Sequence, residues 1–295
     1  MLTKLYRKYI SPEIREKIYE AFLGYMLLFF RNIPESTKNL YTYLFQKWLP
    51  DTEENRIYAF MGRHGIAQCP YSFTLKYKKM PIHILWDDQQ AMYYVLHSGK
   101  RLYFPSSFNK KSIESTYRNL LLEQDPNSPH LYVSDINRLK GKTLLDIGTA
   151  EGIFTLEAIE LINHAYLFEC DEIWIAALNA TFEPWKEKVT IIPKYVNDIN
   201  DENNITIDTF LEGKDKANLF LKMDIEGSEQ AALKGAKKLL NEAKDLDYSI
   251  CTYHQKNDVV EIHNLLKSNH FDSEFSDRYL YFEKELRKAI IRRKF

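Results

Sequence analysis

The chain has 295 residues, of which 45% are hydrophobic, and its formal net charge is −1. This apolar content is enough to bury one large core or two smaller ones, so we expect an ordered globular protein. The near-neutral charge gives no overall positive field that could hold a polyanion, and we predict no nucleic-acid partner.

The first 50 residues are predicted to be helical. Ser11-Pro12-Glu13 and Pro34-Glu35-Ser36 are typical of helix N-termini. The apolar run 21–30 is shorter than the roughly 20 residues of a membrane-spanning helix, and we interpret it as a buried or docking helix. We see no signal-peptide pattern, and the three cysteines form no Cys-x-x-Cys pair, so we expect a cytoplasmic protein.

Basic residues cluster near both ends of the chain. The clusters consist of Lys4, Arg7 and Lys8, and of Arg287, Lys288, Arg292, Arg293 and Lys294. Solvated helix faces are the favoured interpretation, and the alternative is peripheral contact with an anionic surface on the inner face of the membrane.

A small antiparallel sheet is predicted in the middle of the first half. Its strands are 72–75, 82–86 and 93–96, and His97-Ser98-Gly99-Lys100 is a turn signal. A helix at 111–123 follows. The polar loop 124–130 comes next, which we interpret either as a lid on a ligand or as a surface turn.

From residue 141 onward, apolar strands alternate with helices, which is typical of a parallel sheet with crossover helices. The predicted strands are 143–147, 165–169, 189–193, 219–224 and 248–253, with a late pair near Phe271 and at 279–282. We therefore predict two regions. Residues 1–140 form an N-terminal helical and small α+β region that selects the acceptor or a partner, and residues 141–295 form a Rossmann-like α/β domain with helices on both faces of a mostly parallel sheet.

The first of these strands runs into an acidic glycine turn, Asp146-Ile147-Gly148-Thr149-Ala150-Glu151-Gly152, and then into a helix at 153–162. Gly148 lets the backbone approach a ligand, and Gly152 lets the helix pack on the strand. A dinucleotide fingerprint needs a glycine where Ala150 stands, and the carboxylates of Asp146 and Glu151 disfavour a pyrophosphate. The turn instead suits S-adenosylmethionine, which has no phosphate and carries a sulfonium and an ammonium group.

Three further carboxylates and a histidine follow later strands. Glu169 ends the second strand, where a carboxylate can accept from both hydroxyls of a ribose. Asp224 and Glu226 follow the fourth strand and His254 follows the fifth. The fourth strand is expected beside the first, so Asp224 should face the glycine turn. The fifth strand is its neighbour, and we therefore expect Asp224 and His254 to meet over the pocket. They would act as a carboxylate-oriented base or, with Glu226, as ligands of a divalent ion such as Mg²⁺.

These residues carry a family resemblance. Lys222-Met223-Asp224-Ile225-Glu226-Gly227-Ser228-Glu229, together with Thr206-Ile207-Asp208 upstream, resembles the FkbM-type methyltransferases, a class I family whose members O-methylate polyketides and saccharides. The resemblance covers residues 142–283, and the region before it is similar to sequences that precede this domain in bacterial relatives. The family's Phe-Glu-Pro tripeptide reads Phe168-Glu169-Cys170 here, which keeps the carboxylate but changes the turn after it.

The resemblance implies S-adenosylmethionine as methyl donor, with Asn197 and Asp198 near its adenine, and a saccharide or glycolipid of a surface polysaccharide as acceptor. Asp224, His254 and Glu226 are then the expected catalytic residues. Two alternatives remain open. One is an NAD(P)-dependent reductase, although its Tyr-x-x-x-Lys pattern occurs only at Tyr43 and Lys47, before the glycine turn. The other is a non-catalytic, membrane-associated partner, which would not need the intact turn.

Overall fold

The computed structural model describes residues 34–243 and 245–294. The chain divides into two compact units, one ending at Ser72 and the other beginning at Phe73. The boundary predicted near residue 140 does not coincide with this division, because the small sheet belongs to the second unit. The helix predicted at Ser11-Pro12-Glu13, the apolar run 21–30 and the basic residues Lys4, Arg7 and Lys8 lie outside the described residues.

In the first unit, residues 34–45 are helical, as predicted, and a second helix, α1, spans Glu53–His64. Thr52 caps α1, since its side chain accepts a hydrogen bond from the Asn55 backbone amide. Within the described stretches of the chain, no helix is both long enough and apolar enough to cross a membrane.

The predicted small sheet is present and antiparallel. It consists of β1 (Ile84–Asp87), β2 (Met92–His97) and β3 (Lys100–Tyr103) in the order β1-β2-β3. The strand predicted at 72–75 is wrong: Ser72–Lys76 is a short 3₁₀ helix. Its backbone bonds locally, with the Tyr77 amide donating to the Thr74 carbonyl, instead of pairing with a neighbouring strand.

The helix predicted at 111–123 is α2 (Lys110–Glu123), capped by the Asn109 side chain. Its Tyr117 hydroxyl lies 2.9 Å from His97 Nδ1, and His97 Nε2 lies 2.9 Å from Glu157. This buried histidine therefore ties the small sheet to α2 and to the end of the helix that follows the glycine turn.

The large sheet has seven strands. They are β4 (Thr143–Ile147), β5 (His164–Phe168), β6 (Val189–Ile192), β9 (Leu219–Met223), β10 (Asp247–Cys251), β11 (Ser273–Phe275) and β14 (Ile290–Arg293). Their order is β11-β14-β10-β9-β4-β5-β6. The five predicted parallel strands are confirmed, and β4 pairs with β9, the first with the fourth.

Helices cover both faces of this sheet. The helices are α3 (Ile153–Ala158), α4 (Glu172–Phe182), α5 (Ile207–Phe210), α6 (Glu229–Lys234), α7 (Lys237–Glu242) and α8 (Asp258–Ser268). Side chains of α5 to α8 share one core with Leu145 and Leu221, whereas Phe220 on the opposite face contacts Phe154 of α3. The predicted Rossmann-like α/β class is confirmed, although α3 ends at Ala158, short of the predicted residue 162.

Four short strands complete the β structure of the described residues. β7 (Tyr195–Val196) and β8 (Asn204–Ile205) form a parallel pair, and β12 (Leu280–Phe282) and β13 (Glu285–Arg287) form a hairpin. The late strand pair predicted near Phe271 and at 279–282 corresponds to β11 and β12, but the two do not pair with each other. β11 instead pairs with β14, which lies between it and β10.

The interpretation of the C-terminal basic cluster as a solvated helix face is wrong. The segment forms β13 and β14, and its arginines donate to backbone carbonyls inside the domain. Arg292 donates to Leu131 and Arg293 to Leu246, while buried Arg287 donates to Tyr253 and His254. Each guanidinium group has five N–H donors, so these arginines can supply hydrogen bonds to several backbone carbonyls at once.

Candidate functional site

A cavity of about 690 Å³ opens at the carboxyl ends of the parallel strands. The strand order reverses between β4 and β9, and ligands of doubly wound sheets bind at this kind of reversal. The volume is in the range of roughly 300–1,000 Å³ typical of small-molecule sites. The charged lining consists of Glu123, Glu151, Glu169, Asp171, Asp224 and Glu226 against Lys194 and Lys222. The site therefore favours a cationic ligand.

The two glycines of the turn have different roles. Gly148 lines the cavity with φ +74°, and a Cβ at this position would lie 1.8 Å from the Asp224 carbonyl oxygen. No side chain fits there, so bare backbone reaches the ligand space. A Cβ on Gly152 would instead lie 2.8 Å from the ring of Phe182, so Gly152 permits helix packing and does not line the cavity.

Asp146 lies beneath the turn, outside the cavity lining. Its carboxylate is 2.9 Å from Lys222 Nζ and accepts a 2.6 Å hydrogen bond from Thr155. Lys222 Nζ also donates to the Gly148 carbonyl. Burial lowers the pKa of Lys222, but the Asp146 and Asp224 charges outweigh burial, and the pKa of Lys222 is raised. The pair thus fixes the turn to β9 from below.

Glu169 and Glu151 both line the cavity. Glu169 accepts hydrogen bonds of 2.8 Å from the Ala150 and Asp171 amides, which hold its carboxylate across the glycine turn. Glu151 is 8% exposed, and burial raises its pKa to about 7. A cation in the cavity would therefore meet one fixed carboxylate and one that a positive charge would ionise.

Of the two residues predicted near an adenine, only Asn197 lines the cavity. Its backbone amide donates to the Ile205 carbonyl at the end of the β7–β8 pair. Asp198 is exposed and is not part of the lining. The position of Asn197 is compatible with base contact, whereas Asp198 has no access to the cavity.

Asp224 is the centre of the polar network. It accepts a 2.6 Å hydrogen bond from the Tyr132 hydroxyl, and Nε2 atoms of His130 and His254 lie 3.5 and 3.6 Å from its two oxygens. Burial raises the pKa of Asp224, but His130, Lys222 and His254 outweigh burial, so its pKa lies below the usual value. Asp224 is accordingly a held carboxylate and a weak base.

His254 and Asp224 come together as the sequence suggested. His254 Nδ1 lies 2.8 Å from Glu229 Oε1, and Nε2 faces Asp224 and Glu226 at 3.6 Å each. Burial lowers the pKa of His254, but the hydrogen bond with Glu229 and the three carboxylate charges raise it above the ordinary value. Glu229, which is fully buried, also accepts from the Ile225 amide and so fixes both the histidine and the turn that carries Asp224.

The metal set predicted from sequence, Asp224, Glu226 and His254, is only partly compact. Glu226 has a side chain that is 90% exposed. Among the described residues, two groups of potential ligand atoms lie within 4.8 Å of one another. One is His130, Asp224 and Cys251, and the other is Asp224, Glu229 and His254.

The loop 124–130 was expected to be a lid or a surface turn, and much of it is buried. Asp125 accepts from Tyr77 at 2.7 Å and pairs with Lys76, and Ser249 on β10 donates at 2.6 Å to the Tyr132 carbonyl just beyond the loop. Asp125 and His130 are each less than 4% exposed. The loop is therefore anchored on both sides, and its last residue, His130, lines the cavity.

Three residues that line the cavity on this side were not among the site residues predicted from the sequence: Glu123, His130 and Tyr132. Burial and the charge of Asp224 raise the pKa of Glu123 to about 8, and burial lowers the pKa of His130 to about 4. The available signal was a histidine at the end of the polar loop 124–130 and a tyrosine two residues after it. Their partner Asp224, however, is more than 90 residues away, so sequence spacing could not connect them.

Together, the switch-point cavity, the acidic glycine turn and the carboxylate at the end of β5 define a Rossmann-like domain for a nucleoside-type cofactor. The methyltransferase FkbM domain profile matches residues 96–273, more than half of the chain. The chain belongs to the FkbM methyltransferase family. Membership implies S-adenosylmethionine as the methyl donor.

Solved structures with a similar fold include other methyltransferases. An FkbM methyltransferase from Methylobacillus flagellatus is 18% identical, with 63% of this chain and 56% of that chain covered and a TM-score of 0.43. Trm5b from Pyrococcus abyssi is 14% identical, with 68% and 55% covered and a TM-score of 0.42. Precorrin-6y C5,15-methyltransferase from Geobacter metallireducens is 9% identical, with 56% and 87% covered and a TM-score of 0.38. No curated protein matches the chain.

Proposed function

We propose that this methyltransferase transfers a methyl group to a hydroxyl of a saccharide or glycolipid. The observation that carries the proposal is the position of His254 Nε2, which faces Asp224 and Glu226 beside the cavity at 3.6 Å. The saccharide class is supported by the family resemblance, and the absence of a strong positive charge argues against a nucleic-acid acceptor.

The cavity lining fits S-adenosylmethionine at three points. Glu169 has free lone pairs for a ribose diol beyond its two backbone hydrogen bonds, Asn197 lies near a base, and Glu151 faces a cation. Gly148 lets the Asp224 backbone pack closely against the turn, and its own backbone lines the cavity beside β4. When bound, the donor supplies an electrophilic methyl group on a sulfonium.

Asp224 and Glu226 line the other side of the cavity and align the acceptor, and His254, which contacts both of them from behind the lining, accepts its proton. Glu151, Glu169 and Asn197 would hold the donor, which would supply its methyl group to the acceptor oxygen and keep the electron pair of the broken carbon–sulfur bond on a neutral thioether. His254 donates from Nδ1 to Glu229, so Nε2 is the atom that takes the hydroxyl proton. Asp224 and Glu226 then stabilise the imidazolium. The predicted alternative is a divalent ion held by Asp224, Glu226 and His254. The ion would then lower the pKa of the acceptor hydroxyl, and His254 would be a ligand instead of the base.

Calorimetric titration tests the donor site. We expect S-adenosylmethionine to bind the purified chain and Glu169→Ala to weaken binding by about 1–3 kcal/mol, as for loss of a charged acceptor. Glu172→Ala is the matched control, because this exposed carboxylate in the first turn of α4 does not line the cavity. Preference for NADH, or equal effects of the two substitutions, would contradict the proposal.

Transfer of labelled methyl groups tests the acceptor. A panel of neutral saccharides, glycolipids, amines and RNA is incubated with the chain and labelled donor, and His254→Ala is run in parallel. We expect label in a sugar hydroxyl with the wild type, and loss of transfer with unchanged donor affinity in the variant. Labelling confined to amines or RNA would refute the saccharide assignment.

A further inference from the structure

A nitrogen, an oxygen and a sulfur atom converge where two cavity-lining residues, His130 and Asp224, contact the buried Cys251 behind them. His130 Nε2 lies 3.5 Å from Asp224 Oδ2 and 3.8 Å from Cys251 Sγ, and ligand atoms of all three residues are within 4.8 Å of one another. The three residues come from separate parts of the chain: His130 ends the loop 124–130, Asp224 follows β9, and Cys251 ends β10. Nothing in the proposed methyl transfer uses Cys251, which is fully buried.

His130 is poorly satisfied for a buried imidazole. It is 3% exposed, its Nδ1 has no hydrogen-bond partner, and its Nε2 has only the two long contacts with Asp224 and Cys251. Buried polar atoms are normally paired, so an imidazole left in this state requires an explanation. A cation bound at Nε2 would replace the two long contacts of that atom by one short bond, and it would leave the proton of the imidazole on Nδ1.

The two separations measured from His130 Nε2 fit ligands of one bound ion. Zinc bonds of about 2.0–2.1 Å to nitrogen, 2.0–2.2 Å to oxygen and 2.3 Å to sulfur at tetrahedral angles place the ligand atoms roughly 3.3–3.6 Å apart. The observed separations of 3.5 and 3.8 Å are within a few tenths of an ångström of these edges. A direct charged hydrogen bond would be about 2.7–2.9 Å.

We propose that His130, Asp224 and Cys251 bind a transition-metal ion of the zinc class, with the fourth position open toward the cavity. A thiolate, an imidazole and a carboxylate are a borderline-soft set that selects zinc-like ions over Mg²⁺. Three protein ligands and one open position are typical of catalytic rather than structural zinc. The set differs from Asp224, Glu226 and His254, with which it shares only Asp224.

The surroundings support a held carboxylate ligand. The Tyr132 hydroxyl donates to Asp224 at 2.6 Å, and such outer contacts orient carboxylates that bind metals. Two cationic groups lie nearby: Lys222, which Asp146 neutralises at 2.9 Å, and His254, whose Nδ1 lies 2.8 Å from the Glu229 carboxylate. On binding, the Cys251 thiol loses its proton to solvent, and the sulfur lone pair forms the bond to the ion.

The experiment measures metal on the full chain. The protein is stripped with a chelator, dialysed and titrated with Zn²⁺ against a chromophoric competitor, and Co²⁺ is added to a second sample to record its absorption spectrum. We expect one equivalent of Zn²⁺ and a thiolate-to-Co²⁺ charge-transfer band. Less than a tenth of an equivalent, or a Co²⁺ spectrum without thiolate bonding, would overturn the proposal.

Matched variants locate the site. Since losing an outer contact costs about 10–100-fold in metal affinity, Cys251→Ser and His130→Ala are each expected to cost more than about 100-fold. Cys69→Ser, at the other buried cysteine, should bind Zn²⁺ as the wild type does. Unchanged affinity in Cys251→Ser would refute the assignment, and the Co²⁺ spectrum of the wild type decides the matter if that variant fails to fold.

The result is independent of the proposed acceptor. Calorimetry with S-adenosylmethionine on the stripped protein reports the donor site alone, and the labelled-methyl panel reports the acceptor alone. Zinc binding without sugar methylation would refute only the proposed function. Sugar methylation by a chain that binds no zinc would refute only the proposed metal site.

Discussion

Replacing Lys222 by methionine tests the buried pair beneath the glycine turn. The side chains of Lys222 and Asp146 are 4% and 1% exposed, and their charged atoms are 2.9 Å apart. Methionine retains the apolar stem but leaves the Asp146 carboxylate in the core with Thr155 as its remaining partner. The Gly148 carbonyl also loses its donor.

The expected loss follows from this burial. Removing one partner of a buried ion pair costs about 3–5 kcal/mol, because the remaining charge is left without compensation. With a urea dependence of about 2–3 kcal/mol per molar, the unfolding midpoint of Lys222→Met should fall by about 1–2.5 M. Far-ultraviolet circular dichroism in a urea series measures this midpoint.

A double-mutant cycle and a surface control sharpen the test. Asp146→Asn removes the stranded charge, so the double variant should be more stable than the sum of the two single losses predicts. Lys186→Met breaks an exposed pair of similar length, 3.0 Å to Glu183, and should leave the midpoint unchanged within error. A midpoint for Lys222→Met that matches this control, or strictly additive single losses, would refute the reasoning.

Three further predictions concern the cavity and its support. Gly148→Ala should abolish binding of S-adenosylmethionine in calorimetry, since its Cβ would lie 1.8 Å from the Asp224 carbonyl oxygen; retained affinity would show that the turn is not the donor site. Because the pKa of Glu151 is raised to about 7 and its ionised form attracts a cation, donor affinity should increase about tenfold from pH 6 to pH 8. Glu151→Gln should make the increase smaller without removing it, because Glu123, whose pKa is raised to about 8, lines the same cavity; a profile equal to that of the wild type would contradict the assignment. Arg287→Met should cost about 2–4 kcal/mol of unfolding free energy, because it leaves the buried carbonyls of Tyr253 and His254 without this donor; an unchanged urea midpoint would argue against that role.

The parallel half of the fold was predictable from sequence because its signals are local. β4, β5, β6, β9 and β10 are short apolar runs that alternate with helices, and the glycine turn marks the switch point. The predicted meeting of Asp224 and His254 followed from strand order, since both residues come directly after adjacent strands.

The remainder depends on partners that are distant in sequence. β14 is rich in arginine and was interpreted as a solvated helix, because nothing local shows that Arg292 and Arg293 donate to carbonyls elsewhere in the domain. Tyr132 and His130 lie in a polar loop whose burial depends on Asp125 meeting Tyr77 and Lys76. The signals for these contacts are tertiary, and a single sequence does not contain them.

The position of β14 has a consequence for how the chain is made. Residues 290–293 lie between β10 and β11 in the sheet, although they are translated after both. During translation, β11 therefore has no strand partner in this sheet until those residues emerge, and until then the Leu131 carbonyl lacks its hydrogen bond from Arg292. The large sheet is thus completed only after residues 290–293 have been made, and a nascent chain stalled before residue 290 would expose an unpaired edge of β10 of the kind that chaperones bind.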